Sequence, residues 1–540
     1  MLFNLPDDQQ ISIISQWVDI KDLALLDSAC CNNGFRASFL RLTQLRQCIF
    51  PKHDLATTVD EARWILNREL KFHAVTMFSE IMFDTQLCDK LIASSGQTMK
   101  NLKLSSWTCP EQKFEYGKKI LKIKDAVESV AKNCFSLEIF AVECYKSHVQ
   151  LGGALSQTLV RNQHLHSVLL DNCDAIDNAS LNALLQLPNL WSLLFSHCSF
   201  CDSVDLVVGD KSKLVNFTCK NVIFEGGDII GMCKFFPKLL YLDATDVSCA
   251  QLVLLLSLCP MLDSVYLQMT EPIADEVAQQ MVTAWPKLAL LHLHYAEGAT
   301  CSEQAMLTFV KNCPLLISLN LVTEERTQNF AFGVQSCPFE SNDSNLSCLY
   351  ELNVDSLTRS GLTEVLAFCP HLHVLAIYHR VPFTFPEHEL LTGNTDLHPA
   401  ETALDLVANS SIKELHLHNY THLSSESIGL LGQVKELYLS GMQGDFDEDD
   451  LLQLCTRCPA LRVLYPAGCD SVSYGAVINI LDNCPKLVRF RYWNKVRKEL
   501  FYVMPPELQL LCAMMYKTYP LLEDFDFYLR QSSLPYQWEE

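Results

Sequence analysis

Positive charge, phosphate-binding loops and long apolar runs are all scarce in this chain of 540 residues. Lys and Arg total 41 against 63 Asp and Glu, which gives a formal net charge of −22. A surface this acidic repels phosphate groups and anionic lipids, so we expect neither nucleic acid nor a membrane as a partner. The longest apolar run, near residues 252–262, is too short to span a bilayer.

A secretion leader and nucleotide-binding motifs are missing as well. The opening residues "MLFNLPDDQQ" contain neither the basic nor the apolar segment of a leader, which predicts a cytoplasmic or nuclear protein. The 24 cysteines are then expected to stay reduced and to pack as small apolar side chains. Neither G-x-x-x-x-G-K-[ST] nor G-x-G-x-x-G occurs, so we expect no nucleotide cofactor, and no other cofactor is indicated.

The chain does contain a repeat, visible in "NCPLLISL" (312–319), "FCPHLHVL" (368–375) and "NCPKLVRF" (483–490). Before each Cys-Pro pair, apolar residues recur at i, i+3 and i+7, as at Val477, Ile480 and Cys484, which is typical of one helix face. Proline then ends the helix. After it, apolar and polar residues alternate, which predicts a short strand buried on one side.

The strand frame (apolar, two variable, apolar, one variable, apolar) begins in sixteen places between Met99 and Leu522. Most copies start roughly 22–28 residues apart, within the range of leucine-rich repeats. One strand and one helix per unit predict an α/β leucine-rich-repeat solenoid, a horseshoe with a parallel inner sheet and outer helices. With cysteines at the turn in "LHSVLLDNC" (165–173), the pattern resembles the cysteine-containing, ribonuclease-inhibitor-like repeats. Two wider spacings predict insertions near 325–346 and 380–408.

Residues 5–31, "LPDDQQISIISQWVDIKDLALLDSACC", do not fit the repeat. Leu-Pro followed by two acids favours a helix start, and a second helix follows near residue 20. The segment resembles an F-box, the helical module that docks on the adaptor subunit of SCF ubiquitin ligases. The alternative is a helical cap that seals the first repeat. The adaptor-binding residues that the resemblance implies are Leu5, Pro6, Ile11, Ile14, Val18, Leu23 and Leu26.

These patterns together predict four segments. An F-box-like helical module occupies 1–45, and a bridging or capping segment occupies 46–98. The array of about sixteen repeats occupies 99–530, and a tail occupies 531–540.

Residues suited to metal binding or catalysis are present but poorly arranged. The Cys198/Cys201 and Cys455/Cys458 pairs belong to repeats far apart, whereas a zinc site needs four converging ligands. The acidic stretch "GDFDEDD" (444–450) lacks the glycine and glutamate that a calcium loop requires. We therefore expect no metal site, no catalytic residues and no enzyme activity.

Aromatic, histidine and arginine residues fall at the exposed positions of the C-terminal strand frames. Each one alone is more consistent with an ordinary exposed strand residue. Together they predict a protein-binding concave face, because Tyr, Trp and Arg are favoured at interface hot spots. The residues are Tyr266, His292, His294, Tyr378, His416, His418, Tyr438, Tyr465, Arg489, Arg491 and Trp493.

The two resemblances together imply a non-catalytic substrate-recognition subunit of an SCF-type ubiquitin ligase. The F-box would bind the SCF adaptor and, through it, the cullin, while the concave face would hold an unknown target protein. The alternative is a leucine-rich-repeat scaffold with no ligase role. A metal- or thiol-dependent enzyme is disfavoured for the reasons given above.

Overall fold

A computed structural model of the chain divides into two compact units, Met1–Leu262 and Asp263–Glu540. We call them unit 1 and unit 2 and describe each by itself. The residues that the structure describes are 9, 13, 20–30, 37, 49–50, 59–78, 81–82, 84–105, 121–144, 149–174, 176–200, 213–224, 229–295, 301–323, 347–355, 357–378, 404–418, 431–440, 448–466, 474–492, 514–515, 517–519, 521–522 and 524–527.

Unit 1 contains a sheet of parallel strands that pair in chain order, each with the next. Short two-residue strands flank it, such as Val149–Gln150 paired with Cys173–Asp174. The strands of the main sheet are β1 (Ala74–Phe78), β2 (Asn101–Ser105), β3 (Ile139–Glu143), β4 (Ser167–Asp171), β5 (Ser192–Ser196), β6 (Asn216–Lys220) and β7 (Tyr241–Val247).

Unit 2 repeats this arrangement with parallel strands that again pair in chain order. They are β8 (Ser264–Met269), β9 (Leu290–Tyr295), β10 (Ser318–Thr323), β11 (Glu351–Val354), β12 (Val374–Tyr378), β13 (Glu414–His418), β14 (Glu436–Ser440), β15 (Val463–Pro466), β16 (Arg489–Tyr492) and β17 (Asp524–Phe527).

Helices precede the first strand, and among the described residues a helix lies between most pairs of consecutive strands in both units. They are α1 (Ile20–Cys30), α2 (Val59–Asn67), α3 (Thr85–Ser95), α4 (Leu121–Asn133), α5 (Gly152–Arg161), α6 (Asn178–Leu185), α7 (Ile229–Met232), α8 (Cys249–Leu258), α9 (Asp275–Ala284), α10 (Glu303–Asn312), α11 (Arg359–Phe368), α12 (Leu404–Ala408), α13 (Glu448–Arg457) and α14 (Tyr474–Asn483).

The leucine frame explains why each strand forms where it does. In β9, Leu291 and Leu293 are fully buried, while the alternating residues Leu290, His292 and His294 are half-buried on the other side of the sheet. Leu288, the first residue of the frame, is also fully buried just before the strand. One repeat alone leaves these side chains in water, so stacking against neighbouring repeats is required to bury them. The predicted leucine-rich-repeat fold is confirmed in both units.

Each Cys-Pro pair of the repeat marks the end of a helix, as the sequence predicts; these pairs begin at Cys259, Cys313, Cys369, Cys458 and Cys484. The Cys313 backbone N–H donates to the Phe309 carbonyl as the last bond of α10, and Leu316 N–H donates to the Cys313 carbonyl to form the following turn. The Cys313 side chain is 1% exposed, and burial raises the pKa of its thiol to about 12. A thiol with so high a pKa is a poor nucleophile. These cysteines fill the core.

The slot that cysteine occupies also accepts larger apolar residues. Phe236 and Trp285 stand before proline at the ends of their helices, and both side chains are fully buried. At the other end of several helices, short polar side chains satisfy backbone N–H groups that lack a helical partner. Ser302 Oγ accepts from Ala305 N–H at 2.9 Å, and Ser248 and Gln251 form a reciprocal capping box at the start of α8.

The sheet begins earlier than the sixteen predicted copies, each of which does contribute a strand. Strand β1 pairs with β2 in parallel and carries the same frame at Phe72, Val75 and Met77, all buried. This copy lies within residues 46–98, which were interpreted as a bridging or capping segment rather than as part of the array. The predicted boundaries at 45/46, 98/99 and 530/531 stay predictions, and 531–540 lie outside the described residues.

The two predicted insertions are covered only in part by the structure. Residues 324–346 and 379–403 lie outside the described residues. The second predicted insertion, near 380–408, was expected to be a loop or irregular, but its last five residues form the helix α12.

Helix α1 is attached to α2 by a buried ion pair. Asp27 Oδ2 accepts hydrogen bonds from Arg68 Nη2 at 2.8 Å, Arg68 Nε at 3.0 Å and Trp64 Nε1 at 3.1 Å. The Asp27 side chain is only 4% exposed. Leu23, one turn earlier on the same side of α1, is fully buried. A buried carboxylate is tolerated only when it is paired, so Arg68 and Trp64 are required to hold α1 in place.

We predict that Arg68→Met loosens α1, because it leaves the buried Asp27 carboxylate without its cation. Removing one partner of a buried pair costs about 3 kcal/mol. Hydrogen–deuterium exchange of the α1 amides should therefore accelerate strongly. Arg63→Met is the matched control, since Arg63 is 59% exposed and its carboxylate contacts are 3.7 and 3.9 Å long; it should change exchange little. Equal acceleration in both variants would contradict this role for Arg68.

Candidate protein-binding surface

The candidate surface is the side of the unit 2 sheet opposite the leucine core, which we call the second face. It carries the strand residues that alternate with the buried leucines. Strand pairing aligns its middle row in the order Tyr266, His292, Asn320, Asn353, Ala376, His416, Tyr438, Tyr465. Residues from many repeats are thus brought into one line.

Stacked rings dominate the C-terminal part of this row. The His416 and Tyr438 rings are 4.0 Å apart and nearly parallel, with an angle of 2° between their planes. The Tyr438 and Tyr465 rings follow at 4.7 Å. The Arg491 guanidinium carbon lies 5.7 Å from the centre of the Tyr465 ring, within the range of a cation–π contact. The result is a continuous ladder of rings that ends in a cation.

Two glutamates hold the polar atoms of this ladder. His416 Nε2 lies 2.8 Å from Glu414 Oε1, and the Tyr438 hydroxyl donates to Glu436 Oε2 at 3.3 Å. Burial, and then the negative charge of Glu414, raises the pKa of Glu436. Burial and the same two carboxylates also raise the pKa of Tyr438, so its hydroxyl stays protonated and remains a hydrogen-bond donor. The rings are fixed in place by these contacts.

A second polar network lies on β8–β11. The Tyr266 and His292 ring centres are 4.4 Å apart. Because the Ser318 hydroxyl donates to Glu351 Oε2 at 3.1 Å, it accepts a hydrogen bond from His292 Nε2, also at 3.1 Å. Asn353 Nδ2 donates to the other oxygen of the Glu351 carboxylate at 2.8 Å. Burial, and then the neighbouring His294, lowers the pKa of His292 to about 3, so the ring is neutral at physiological pH.

The hydrogen bonds of this network differ from those of a serine nucleophile. A catalytic serine donates its proton to histidine, which an acid holds through its other nitrogen. Here Ser318 donates to the carboxylate instead and is completely buried. The network supports the sheet and does not expose a reactive hydroxyl.

The predicted surface residues differ widely in exposure. Tyr378, His416, His418 and Tyr438 are buried, with at most 9% of each residue exposed. Tyr266, His292, His294 and Tyr465 are half-buried, whereas Arg489 and Arg491 are exposed. Trp493 lies outside the described residues. A partner can therefore reach the β8–β9 end and the β15–β16 end of the second face.

Sequence reasoning missed several members of the middle row. Asn320, Asn353 and Ala376 occupy the same frame position as the predicted residues and link the two groups of rings. Their frame position was the signal that would have identified them. Asparagine and alanine are not among the residue types favoured at interface hot spots, so residue type alone does not indicate them.

The predicted adaptor-binding residues are only partly described. Leu5, Pro6, Ile11, Ile14 and Val18 lie outside the described residues. Leu23 is completely buried within the chain and Leu26 is half-buried. The neighbouring Leu25 was not predicted, although it is 68% exposed and is the most accessible large apolar side chain among the described residues. The pattern of apolar residues in a short helix does not indicate which side of the helix packs against the rest of the chain.

Comparison with known proteins gives little further information. No protein-family model matches the chain, and no curated protein matches it. Among solved structures, it is similar to a chain of the crystal structure of the Rad7 and Elc1 complex in yeast. The match has a TM-score of 0.39 and 14% identity, and it covers 85% of this chain and 94% of that one. These values are too low to carry an inference about function.

Metal binding and membrane insertion were both expected to be absent. Among the described residues, no three or more His, Cys, Asp or Glu side chains are grouped in a way that could hold a metal ion. Cys455 and Cys458 are both buried in the core, and Cys201 of the other pair lies outside the described residues. In the same part of the chain, every helix is too short or too polar to cross a bilayer.

We predict that His292 makes stability depend on pH below neutrality. Its folded pKa of about 3 lies below the ordinary 6.5, so the unfolded chain binds the proton more readily. The contribution of neutral His292 to the free energy of unfolding is fully present above about pH 6.5, and it is lost as the pH drops from there toward 3. At pH 5 the loss amounts to at most about 2 kcal/mol. His292→Gln keeps a donor for Ser318 and removes the titration.

Thermal unfolding midpoints of the wild type and His292→Gln, measured at pH 7 and pH 5, check this. The wild-type midpoint should fall further between the two pH values than that of the variant. Parallel decreases would show that His292 is not held neutral by burial.

Proposed function

We propose that this protein is a non-catalytic substrate-recognition subunit of an SCF-type ubiquitin ligase, acting in the cytoplasm or the nucleus. In this role, unit 2 holds a target protein on its second face, and the F-box-like N-terminal residues bind the SCF adaptor and through it the cullin. The contribution is proximity, since tethering raises the effective concentration of the target near the ligase without chemistry by the receptor.

The proposal that unit 2 binds a target protein is supported mainly by the accessible end of the ring ladder. Tyr465 is half-buried and Arg491 is exposed, and both are supported by the stacked rings behind them. An aromatic side chain that is already held by stacking loses little conformational entropy on binding, and both Tyr and Arg are enriched at hot spots. A surface with this composition favours a protein partner over a small molecule.

The adaptor-binding half is supported by the sequence resemblance and by the position of α1. The Asp27–Arg68 pair fixes one side of α1 to the rest of unit 1. Leu25 then points away from that side with 68% of its surface exposed. An apolar side chain held this far out on an anchored helix is suited to contact another protein.

The alternative is a leucine-rich-repeat scaffold in which α1 serves only as a cap. The full burial of Leu23 favours this alternative, because a residue inside the chain has no surface left for an adaptor. The two functions differ in one measurable property, which is direct binding to the SCF adaptor.

Leu25→Asp is expected to weaken binding of the purified SCF adaptor to the full chain by about tenfold, since it places a charge where an apolar contact is proposed. Calorimetry or surface plasmon resonance measures the affinity. Val160→Asp is the control, because Val160 is also a helical apolar residue of unit 1 and is 60% exposed. Absence of wild-type binding, or equal weakening in both variants, would favour the scaffold.

Tyr465→Ala combined with Arg491→Ala is expected to reduce target capture about tenfold while adaptor binding stays intact. Proximity labelling in cells, quantified by mass spectrometry, identifies the proteins that the wild type captures and the variant loses. The control combines Trp191→Ala with Lys238→Ala, an exposed aromatic residue and an exposed cation of unit 1. If this control loses the same proteins, the second face of unit 2 is not the capture surface.

A further inference from the structure

A row of cations lies at the N-terminal ends of three neighbouring strands of unit 2. Each cation is the last residue before its strand: Lys413 before β13, Lys435 before β14 and Arg462 before β15. Backbone bonds connect them directly: Lys435 N–H donates to the Lys413 carbonyl at 2.8 Å, and Arg462 N–H donates to the Lys435 carbonyl at 2.7 Å. We call these three residues the basic rim.

The basic rim places like charges side by side. Neighbouring strands in a sheet are about 4.8 Å apart, and like charges directly opposite each other across strands destabilise it. Lys435 and Arg462 are exposed and Lys413 is half-buried. Among the described residues, none of the three has a carboxylate within ion-pair distance. Three unpaired cations in line are unusual in a chain with a net charge of −22.

The groups around the rim leave it positive. Glu414 and Glu436 begin the adjoining strands, but each directs a carboxylate oxygen to a ring on the second face, His416 and Tyr438 respectively. On the far side of Arg462, Arg489 begins the next strand and adds another exposed cation. Burial and Glu414 raise the pKa of Glu436, and the charges of Arg462 and Arg489 oppose this, so Glu436 offsets part of the positive charge. The three rim cations and Arg489 still outnumber the two glutamates beside them.

The other end of the rim is aromatic and neutral. His373 precedes β12, next to Lys413, and its ring stacks on that of Tyr350 with the ring centres 5.0 Å apart. Burial lowers the pKa of His373, Glu414 opposes that change, and the charges of Lys413 and Lys435 add to it. The ring therefore adds an apolar contact surface to the row rather than a further charge.

We propose that the basic rim binds an acidic segment of a partner protein. Carboxylates on one side of a helix recur about 5–6 Å apart, a spacing that flexible lysine and arginine side chains match easily from strands about 4.8 Å apart. A bound acidic segment neutralises the repulsion along the rim. Nucleic acid fits less well, because its phosphates extend well beyond three cations and meet the acidic remainder of the chain.

This inference does not rest on the ligase proposal, because it concerns only unit 2 and a charged segment. Adaptor binding and rim binding are measured separately, so one can fail while the other holds.

The experiment measures fluorescence anisotropy of a labelled hexaglutamate peptide with the full chain in 50 mM NaCl. Lys413→Gln, Lys435→Gln and Arg462→Gln together should weaken binding about tenfold, since each exposed charge contact contributes modestly. The control replaces Lys132, Lys238 and Lys287 by Gln, because these are exposed, lie elsewhere and remove the same charge. It should change the affinity less than about twofold.

Raising NaCl to 300 mM should also weaken wild-type binding, because salt screens exposed charges. The inference is overturned if the wild type shows no binding, or if the rim and control variants lose equal affinity. It is also overturned if a labelled 12-nucleotide single-stranded DNA binds more tightly than hexaglutamate and depends on the same three residues, since the rim is then a nucleic-acid site. Circular dichroism of both triple variants verifies that they are folded.

Discussion

Burial of the leucine frame is the constraint on which the rest of the structure depends. A single strand and helix present one apolar side and no means of covering it, so each repeat is stable only between neighbours. The frame residues meet this constraint almost without exception, since Leu291, Leu319 and Leu352 are each completely buried at matching positions. Cysteine, phenylalanine and tryptophan before proline complete the same core where the helices end.

The same constraint organises the surfaces. Because the leucines set the strand register, residues at one frame position in successive repeats come to lie side by side at the spacing of the strands. The ring ladder of His416, Tyr438 and Tyr465 arises from the middle position of the frame. The basic rim arises from the position just before the strand. A surface on this fold is therefore composed one residue per repeat, and its chemistry can change without disturbing the core.

Much of this architecture was predictable because it is periodic. Strands were expected at all sixteen frame copies, and the positions of the ring residues on the second face followed from the same alternation. The exposure of those residues could not be predicted in this way, because alternation assigns a residue to a face of the sheet but does not indicate how much of that face is covered. His416 and His418 share a face with Tyr465 and are nevertheless buried. The contact between Asp27 and Arg68 joins residues 41 positions apart outside any repeat, so no local pattern indicates it.

The anchoring of α1 has a consequence for how the beginning of the chain can be studied. A truncated protein that starts after residue 45 loses Asp27 and Leu23 together. The Arg68 guanidinium and the Trp64 indole nitrogen are then left without the acceptor that they share. Loss of binding in such a protein therefore has two causes that look the same, a missing docking element and a damaged edge of the first repeats. Point substitutions on the outer side of the helix distinguish a lost docking element from a damaged edge, whereas a deletion causes both at once.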